Sequence, residues 1–318
     1  MKAVLLAAGI GTRLDPITKS IPKPMIKICG KPIIEYIVND LVKSNFDEIC
    51  IVVGYESEQI KNYFNNYDKN IKISFVTQDE YKGTAHATLC AKNFVGNDPF
   101  LLYLSDTLIP FDLQSFLSKI KHDNYDISIL SSKVFSNDLT SVGNIIIENV
   151  FVKEISEKSK NPKSELAWAG VAFINDSSIF DLIEKLSLSK NSEYDITEAM
   201  NLALKNNKNI KNYLCKKFID CGTVLGLLNG LKFIIDTTNF SKKSLQNKSL
   251  SYVDASCVLG KNIIIGPYTS VEKNVTIGDN VKITESILLE NTVVPSNQII
   301  DKSILSSYGK ISINDNIL

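Results

Sequence analysis

The sequence has no excess of charge of either sign. Its 318 residues include 35 lysines and arginines and 35 aspartates and glutamates, which leaves no formal net charge at pH 7. It also lacks any run of 18 or more apolar residues, roughly the length that spans a bilayer. We therefore expect neither nucleic acid nor a membrane as partner, because broad electrostatic binding needs a surplus of positive charge. Any anionic ligand must be held by a few cations at fixed places.

Disulfide and metal-cluster patterns are missing as well. The six cysteines are scattered, without a Cys-x-x-Cys pair or a metal-ligand spacing, which predicts buried free thiols in a reducing cytoplasm. The apolar start of the chain is too short for a secretory signal peptide, because Arg13 and Asp15 follow it closely. A buried first strand is the better interpretation.

The first half of the chain alternates short apolar runs with helical patterns. The apolar runs predict strands over residues 3–7, 49–53, 71–76 and 100–104. Apolar residues at helical spacing predict helices from Pro32 onward and over residues 57–64 and 85–91. This alternation indicates βαβ units, and therefore an α/β fold with a Rossmann-like, mixed and mostly parallel sheet flanked by helices.

The pattern changes near residue 240. Residues 239–250 are polar and predict a linker between a first domain over residues 1–238 and a second over residues 251–318. In the second domain apolar residues recur with a period of six, and glycine follows the repeat position at Gly260, Gly266 and Gly278. The two apolar registers are Val253, Leu259, Ile265, Val271, Ile277, Ile283 and Leu289, and Ile263, Val275, Val281, Ile287, Val293 and Ile299.

A period of six predicts a parallel β-helix with three sides. Alternating strands are the alternative, since their period of two also divides six. The segment is long enough for only a short solenoid, which needs packing partners to bury its faces.

A glycine-containing turn follows the first predicted strand. The segment LAAGIGTR (residues 6–13) places Gly9 and Gly11 where backbone N–H groups can approach a phosphate, and Arg13 adds a forked cationic donor. It is not the dinucleotide fingerprint, because Leu14 stands where the third glycine is required, and no Gly-Lys-Ser/Thr follows as in a P-loop. Alone, it is also consistent with a strand-to-helix turn that merely needs glycine.

A second cation is presented on a stiff segment. Lys23 stands between Pro22 and Pro24, whose rings restrict the backbone. That arrangement suits a cation held at a fixed place, although a solvated surface lysine would explain the residue equally well on its own.

Together these segments resemble the N-terminal signature of the sugar-1-phosphate nucleotidyltransferases, LAAGxGTRLxPxT followed by PKPM and Gly30-Lys31-Pro32. Further family motifs occur in order within residues 2–235: Gln78 with GTAHA (83–87), LSD (104–106), VG (142–143), EK (157–158), AG (169–170) and FIDCGT (218–223). The family commonly carries a C-terminal left-handed β-helix, which agrees with the period of six.

The resemblance implies transfer of a nucleotidyl group from an NTP to a sugar 1-phosphate, of the glucose or N-acetylglucosamine 1-phosphate type, with release of pyrophosphate. The attacking phosphate oxygen is already an anion, so no general base is needed. The obstacle is the meeting of two anions, which fixed cations and a divalent metal overcome. By resemblance, Arg13 and Lys23 are the catalytic cations, and Asp106 and Asp220 are the ligands of Mg²⁺.

The resemblance also implies binding positions. The nucleotide-binding residues are Leu6, Ala7, Ala8, Gly9, Gly11, Thr12, Arg13, Gln78, Gly83 and Thr84. The sugar-phosphate-binding residues are Gly143, Glu157, Lys158 and Gly170. Taken singly, both aspartates are also explained as turn residues, and Lys158 as one of several solvated lysines.

Some positions bear on specificity. Ala8 before Gly9, together with GTAHA, resembles the uridylyl and thymidylyl branches, so UTP or dTTP is expected ahead of a purine nucleotide. Ser105 stands where glycine is commoner in the family, and Trp168 occupies a sugar-side position that is usually smaller or polar. Trp168 either alters sugar choice or is plain core. Residues 193–198 (EYDITE) resemble a further family segment near the sugar.

Two other functions are open to a chain of this pattern. A β-helix that transfers an acetyl group commonly uses a histidine base, but His86 and His122 are the only histidines and both precede the repeat. A catalytically silent scaffold would be expected to have lost the phosphate cations or metal carboxylates, which are all present. The β-helix is therefore expected to be an assembly or regulatory module, through which the chain forms a homo-oligomer.

Overall fold

A computed structural model describes residues 1–65, 67, 71–110, 113–121, 125–134, 140, 142–157, 159–186, 193–238 and 250–313. The chain divides into two compact units, each discontinuous in sequence. The first contains Met1–Gly9 and Ile37–Phe218, and the second contains Ile10–Tyr36 and Ile219–Leu318. Most of the predicted linker lies outside the described residues, so its boundaries stay a prediction.

Eight α-helices occur in the described part of the chain: α1 (Ile33–Lys43), α2 (Ser57–Asn65), α3 (Gly83–Cys90), α4 (Lys92–Val95), α5 (Leu113–Ile120), α6 (Ile179–Glu184), α7 (Ile196–Lys205) and α8 (Val224–Thr237). None of these helices is long and apolar enough to cross a bilayer. Short 3₁₀ turns occupy Thr12–Leu14, Ile17–Lys19 and Lys23–Met25.

The strands up to the start of α8 are β1 (Lys2–Ala7), β2 (Lys27–Ile28), β3 (Lys31–Pro32), β4 (Glu48–Val53), β5 (Lys72–Thr77), β6 (Phe100–Leu104), β7 (Thr107–Leu108), β8 (Ile127–Lys133), β9 (Gly143–Glu148), β10 (Phe151–Glu157), β11 (Leu166–Ile174), β12 (Ile210–Leu214) and β13 (Ile219–Asp220). The later strands are β14 (Ser251–Val253), β15 (Val258–Leu259), β16 (Ile264–Ile265), β17 (Thr269–Val271), β18 (Thr276–Ile277), β19 (Lys282–Thr284), β20 (Ile287–Leu288), β21 (Val293–Val294), β22 (Ile299–Asp301), β23 (Ser303–Ser306) and β24 (Gly309–Ser312).

A nine-stranded mixed sheet forms the first unit, in the order β5-β4-β1-β6-β11-β8-β12-β10-β9. The four strands β5, β4, β1 and β6 are parallel to one another. Strand β11 runs antiparallel between β6 and β8, and β10 is antiparallel to β9 and β12. The predicted mixed α/β fold is therefore confirmed, with its parallel part built from the N-terminal strands.

Strand β1 lies at the centre of the parallel part, and its burial explains its composition. Every residue from Ala3 to Ala7 is buried, so polar alternation along the strand would leave polar groups in the core. Val4 and Leu6 belong to a core cluster that also contains Phe100, whose ring stacks on Phe180 with centroids 5.7 Å apart. The carboxyl end of β1 is thereby fixed at one edge of the sheet.

The C-terminal strands form a parallel β-helix with three sides, as the period of six predicts. The sides are β14-β17-β20-β23, β15-β18-β21 and β16-β19-β22, and β24 extends the first side by an antiparallel pairing with β23. The interior is an apolar cluster that includes Val271, Ile277 and Ile283. Asparagines at left-handed corners stack from coil to coil, for example Asn280 between Asn262 and Asn297.

The predicted apolar register is wrong at Val293 and Ile299. Strand pairing joins Val258 to Thr276 but Thr276 to Val293, so the second coil is one residue shorter than the first. The corner between Ile283 and Leu288 is the shortened one. As a result Val293 and Ile299 are 69% and 75% exposed, and their neighbours Val294 and Ile300 fill the interior at 2% and 3%.

An ion-pair cluster ties the loop before β8 to the chain segments after β11 and before β12. Lys208 Nζ bonds to Asp176 and donates to Asp126 Oδ1 at 3.2 Å. Asp176 also accepts the backbone N–H of Ser178 at 2.8 Å. The Lys208 hydrogen bond, followed by that from Ser178, lowers the pKa of Asp176 to about 2.

We expect Asp176→Asn to lower the free energy of unfolding by about 1 kcal/mol near neutral pH, allowing for partial exposure of the pair. A depressed carboxyl pKa stabilises the fold above the ordinary value of 3.8, and this contribution is lost as the pH falls toward about 2. Urea unfolding at neutral pH and at about pH 3 should show a smaller difference between wild type and variant at the lower pH. An unchanged difference would contradict the assignment.

Candidate functional site

The parallel strands of the first unit bring three of the family motifs, together with Gly54, to one edge of the sheet. Ala8 follows β1, Gly54 follows β4, Gln78 follows β5 and Ser105 follows β6. Neighbouring parallel strands end together here, since Ala7 pairs with Val53 and Val53 with Thr77. Open α/β sheets bind ligands at this edge.

Gly9 lies at this edge, at a position where the fold itself does not require glycine. A Cβ atom added to Gly9 would meet no atom of the described residues within 4 Å, and the residue is not among those with a positive φ. The residues before it, Leu6, Ala7 and Ala8, are buried. A glycine that the fold does not require is consistent with close approach of a ligand to the backbone.

Ser105 ties the Asp106 turn to the end of β1. Its hydroxyl donates to the Leu6 carbonyl oxygen at 2.7 Å, and its backbone N–H reaches the same oxygen at 3.2 Å. Asp106 lies in the two-residue turn between β6 and β7. The serine that departs from the family pattern therefore has a physical role, which the sequence alone did not reveal.

Gly170 lies beside the same turn because β11 contains an irregularity. The register of β11 against β8 shifts between Trp168 and Ala172, and Gly170 adopts a φ of 71°. A Cβ atom on Gly170 would lie 3.1 Å from Leu104 Cγ and from Thr107 Oγ1. Trp168 is core: it is buried, and its indole N–H donates to the Val171 carbonyl at 3.0 Å.

Gln78 is held in one orientation by the first turn of α3. Its Nε2 donates to the Gly83 carbonyl at 3.0 Å and lies 3.1 Å from His86 Nδ1. Gly83 has a φ of 86°, and a Cβ atom there would lie 2.6 Å from the Tyr194 carbonyl oxygen. The Thr84 hydroxyl accepts the backbone N–H of Ile196 at 3.0 Å, so this side chain also fixes the start of α7.

Gly143 and Glu157, which the resemblance assigns to the sugar phosphate, are brought together on β9 and β10. They are paired between β9 and β10, and a Cβ atom on Gly143 would lie 2.9 Å from Glu157 Oε2. Thr197 Cγ2 lies 3.8 Å from the same point. The Thr197 hydroxyl is buried and has no hydrogen-bond partner within the described part of the chain, a feature that sequence reasoning missed. Lys158 lies outside the described residues.

Arg13 and Lys23 belong to the second unit, each on a 3₁₀ turn. Gly11 has a φ of 80°, and a Cβ atom there would lie 3.1 Å from Lys23 Cβ, so the glycine lets the lysine stem approach. The Thr18 hydroxyl donates to the Gly11 carbonyl at 2.9 Å. Thr12 begins the turn that carries Arg13.

Asp220 lies with Arg13 in the second unit, where its Oδ2 is 3.9 Å from Arg13 Nη1. Its Oδ1 accepts the Gly222 backbone N–H at 2.7 Å. Thr223 caps α8 by accepting the Gly226 N–H at 3.0 Å. Gly226 packs so tightly that an added Cβ would overlap the Asp220 carbonyl oxygen. The cap and the turn together fix the position of this carboxylate.

The two carboxylates that the family resemblance implies, one in each unit, suit Mg²⁺ better than a metal bound by protein alone. Within the described ranges no group of three or more His, Cys, Asp or Glu side chains could hold an ion. Asp106 and Asp220 offer carboxylate oxygens, and Mg²⁺ in nucleotide sites needs only one or two of these besides phosphate oxygens and water. Zn²⁺ sites instead need three or four ligands, usually with nitrogen or sulfur among them.

Burial makes at least two of the cysteines unsuitable as nucleophiles. All six are free thiols. Burial raises the pKa of Cys50 and of Cys215 to about 11, so both are protonated at neutral pH. This agrees with chemistry that proceeds without a covalent intermediate on the protein.

Residues 2–237 match the model of the nucleotidyl transferase family. This chain belongs to that family. Residues 248–317 match a second model, described as the GMPPB C-terminal domain.

Among its relatives, the bifunctional protein GlmU of Methanocaldococcus jannaschii is 31% identical over 96% of this chain and 77% of its own length. The UTP–glucose-1-phosphate uridylyltransferase AglF of Haloferax volcanii is 31% identical over 65% of this chain and 86% of its own length. The solved structure of UDP-glucose pyrophosphorylase complexed with UDP-glucose has a TM-score of 0.68 and 28% identity, covering 74% of this chain and 99% of that one.

Gly226→Ala should displace Asp220, because the added methyl group overlaps a backbone oxygen and cannot be relieved by side-chain movement. We expect a loss of about 1–3 kcal/mol in the free energy of unfolding, as for other overpacked sites. Leu225→Ala, at an exposed position in the same helical turn, is the matched control. Equal stability of the two variants in urea unfolding would contradict this packing.

Proposed function

We propose that this protein is a sugar-1-phosphate nucleotidyltransferase that uses UTP or dTTP and a sugar 1-phosphate, releasing pyrophosphate. The observation that carries the proposal is the retention of the ionic groups Arg13, Lys23, Asp106 and Asp220 on short turns fixed by local contacts, in a chain that belongs to the nucleotidyl transferase family. A silent scaffold would have no need to keep them.

The nucleotide is bound mainly by backbone. The segment from Leu6 to Thr12 offers N–H groups and carbonyls around Gly9 and Gly11, while Gln78, Gly83 and Thr84 lie beside the base. Gln78 is suited to reading a base edge because the Gly83 carbonyl and His86 fix its amide. The close packing of Gly83 on Tyr194 supports a rigid rather than an adaptable base site.

The reaction needs charge neutralisation more than proton transfer. Arg13 and Lys23 bind triphosphate oxygens, and they hold their charge throughout because no proton has to move from either. The ion pair between Arg13 and Asp220 supports a fixed orientation of the guanidinium. Asp106 and Asp220 are the proposed ligands of Mg²⁺, which when bound offsets the charge that builds on the transferring phosphoryl group.

The sugar 1-phosphate is held by Gly143, Glu157, Lys158 and Gly170. Glu157 accepts hydrogen bonds from sugar hydroxyls, and the absence of a side chain on Gly143 leaves room next to its carboxylate. The buried Thr197 hydroxyl is a further candidate for a sugar contact, since a polar group without a partner in the described residues is costly unless a ligand or water satisfies it.

Two observations support the pyrimidine preference and the glucose-type sugar. Ala8 occupies the position where guanylyl and adenylyl enzymes tend to have glycine. The relatives named for UTP, glucose 1-phosphate or UDP-glucose match 65% and 74% of this chain. Guanylyl or adenylyl specificity is the alternative that a panel of NTPs separates.

We further propose that the protein acts in the cytoplasm as a homo-oligomer joined through its β-helix. Free thiols throughout the chain support a reducing compartment. Apolar side chains exposed on two outer sides of the β-helix support an interface there, namely Val258, Ile264, Val293 and Ile299.

Asp106→Asn should abolish Mg²⁺-dependent pyrophosphate release while leaving the urea unfolding curve unchanged, because the substitution removes a metal ligand on a turn that Ser105 fixes independently. The assay pairs each NTP with glucose 1-phosphate and N-acetylglucosamine 1-phosphate. Asp181→Asn, at an exposed position on α6, is the control and should retain activity. If wild type releases no pyrophosphate from any pair, the scaffold function replaces the enzyme.

Gly9→Ala should raise the KM for the NTP by about tenfold or more without changing stability, since the added methyl meets only open space in the fold but blocks a ligand from the backbone. Ile10→Ala, at the next exposed position, is the control. A variant whose KM matches wild type would remove Gly9 from the nucleotide site.

A further inference from the structure

The segment that carries Lys23 continues into a hairpin packed on the β-helix within the second unit. The hairpin is formed by β2 and β3, and its base closes directly after the Lys23 turn, where the Ile33 N–H donates to the Ile26 carbonyl at 3.1 Å. Lys27 Nζ donates to Glu290 Oε1 of the β-helix at 2.7 Å. A shift of this hairpin would therefore be transmitted to the turn that presents Lys23.

The tip of the hairpin is bound by a buried carboxylate. Glu272 of the β-helix is 1% exposed, and its Oε2 accepts the Gly30 backbone N–H at 3.0 Å. The Ser270 hydroxyl donates to Glu272 Oε1 at 2.6 Å and accepts the Cys29 N–H at 2.8 Å. The carboxylate thus binds two successive backbone N–H groups, one directly and one through the serine.

The tip of the hairpin has an unfavourable backbone conformation, which has to be stabilised by contacts with its surroundings. Cys29 and Gly30 both have positive φ, at 53° and 83°, and the first is unfavourable for a residue with a side chain. A Cβ atom on Gly30 would lie 2.5 Å from Tyr252 Oη of the β-helix, so no bulkier residue fits. The left-handed pair turns its N–H groups toward one anion, as in other anion-binding turns.

Burial of a carboxylate at this place carries a cost. Desolvation raises the pKa of Glu272, against the smaller lowering effects of Ser270, Gly30 and Lys27. An apolar side chain would avoid that cost but would leave the Gly30 N–H without an acceptor and the Ser270 hydroxyl without the carboxylate oxygen to which it donates. The carboxylate is therefore explained by the backbone geometry that it fixes rather than by stability alone.

We propose that Glu272 is a positioning residue for nucleotidyl transfer, which fixes the Cys29–Gly30 tip and through the hairpin the place of Lys23. This role rests on the proposed function of Lys23 as a triphosphate-binding cation. Through this role of Glu272, the β-helix contributes to nucleotide binding in the same chain, in addition to any contribution to assembly.

The test is steady-state kinetics of Glu272→Gln in the full chain. The amide keeps the shape but loses the charge, so we expect the KM for the NTP to rise about tenfold or more, with less than a twofold change in the KM for the sugar 1-phosphate. General destabilisation would lower the concentration of active enzyme and kcat but would leave both KM values unchanged.

Two further variants complete the test. Glu290→Gln removes a 36% exposed carboxylate of the β-helix that pairs with Lys27 of the same hairpin, and it should change the KM for the NTP by less than threefold. Ser270→Ala is milder than Glu272→Gln and should also raise the KM for the NTP, which keeps the test open if Glu272→Gln does not fold.

If wild type is active and neither Glu272→Gln nor Ser270→Ala raises the KM for the NTP, the positioning role is wrong. An inactive wild type would instead refute the proposed function itself.

Discussion

Electrostatic repulsion between two phosphorylated substrates is the constraint on which the rest of this account depends. A chain without net charge cannot relieve it by a general positive field, so individual cations must be placed and kept in place. The structure presents Arg13 and Lys23 on short, stiff segments. Arg13 lies 3.9 Å from the Asp220 carboxylate, and Gly11 lets the stem of Lys23 approach the preceding turn. Cations that are already fixed in position need little reorganisation when a polyanion binds.

The need to hold these cations in place also explains why the second unit contains segments that are far apart in the sequence. Residues 10–36 group with α8 and the β-helix rather than with the strands on either side of them. Contacts of Gly309 with Pro16, of Glu290 with Lys27 and of Glu272 with Gly30 span several coils of the β-helix. The signature segment is thus supported along much of its length by the C-terminal domain. The β-helix is therefore a structural support for the proposed phosphate-binding cations as well as an expected assembly surface.

Much of the fold follows from the sequence because its causes are local. Strand β6 and residues 3–7 of β1 are apolar throughout since both faces are covered, and a period of six indicates the β-helix. The exposure of Val293 and Ile299 could not be predicted, because each has an apolar neighbour that could equally lie in the interior. A corner shortened by one residue decides which member of each pair points inward. Periodicity alone does not say which of two adjacent apolar residues points inward.

The candidate site was less accessible to sequence reasoning, for a different physical reason. Family motifs name Asp106, but the hydrogen bond from Ser105 to Leu6 joins residues almost a hundred positions apart, and only the fold brings them together. Trp168 is core because its indole N–H finds an acceptor in its own strand, which no pattern of residue types reveals. Glu272 has no motif around it at all; its burial against Gly30 becomes visible only when the β-helix is in place.

The most direct test of the central claim is the binding of Mn²⁺, as a paramagnetic stand-in for Mg²⁺, measured by electron paramagnetic resonance with and without UTP. A site built from few carboxylates and completed by phosphate oxygens predicts tight binding only when the nucleotide is present, and loss of that binding in Asp220→Asn. Equally tight binding without UTP, or binding that survives the substitution, would contradict the account.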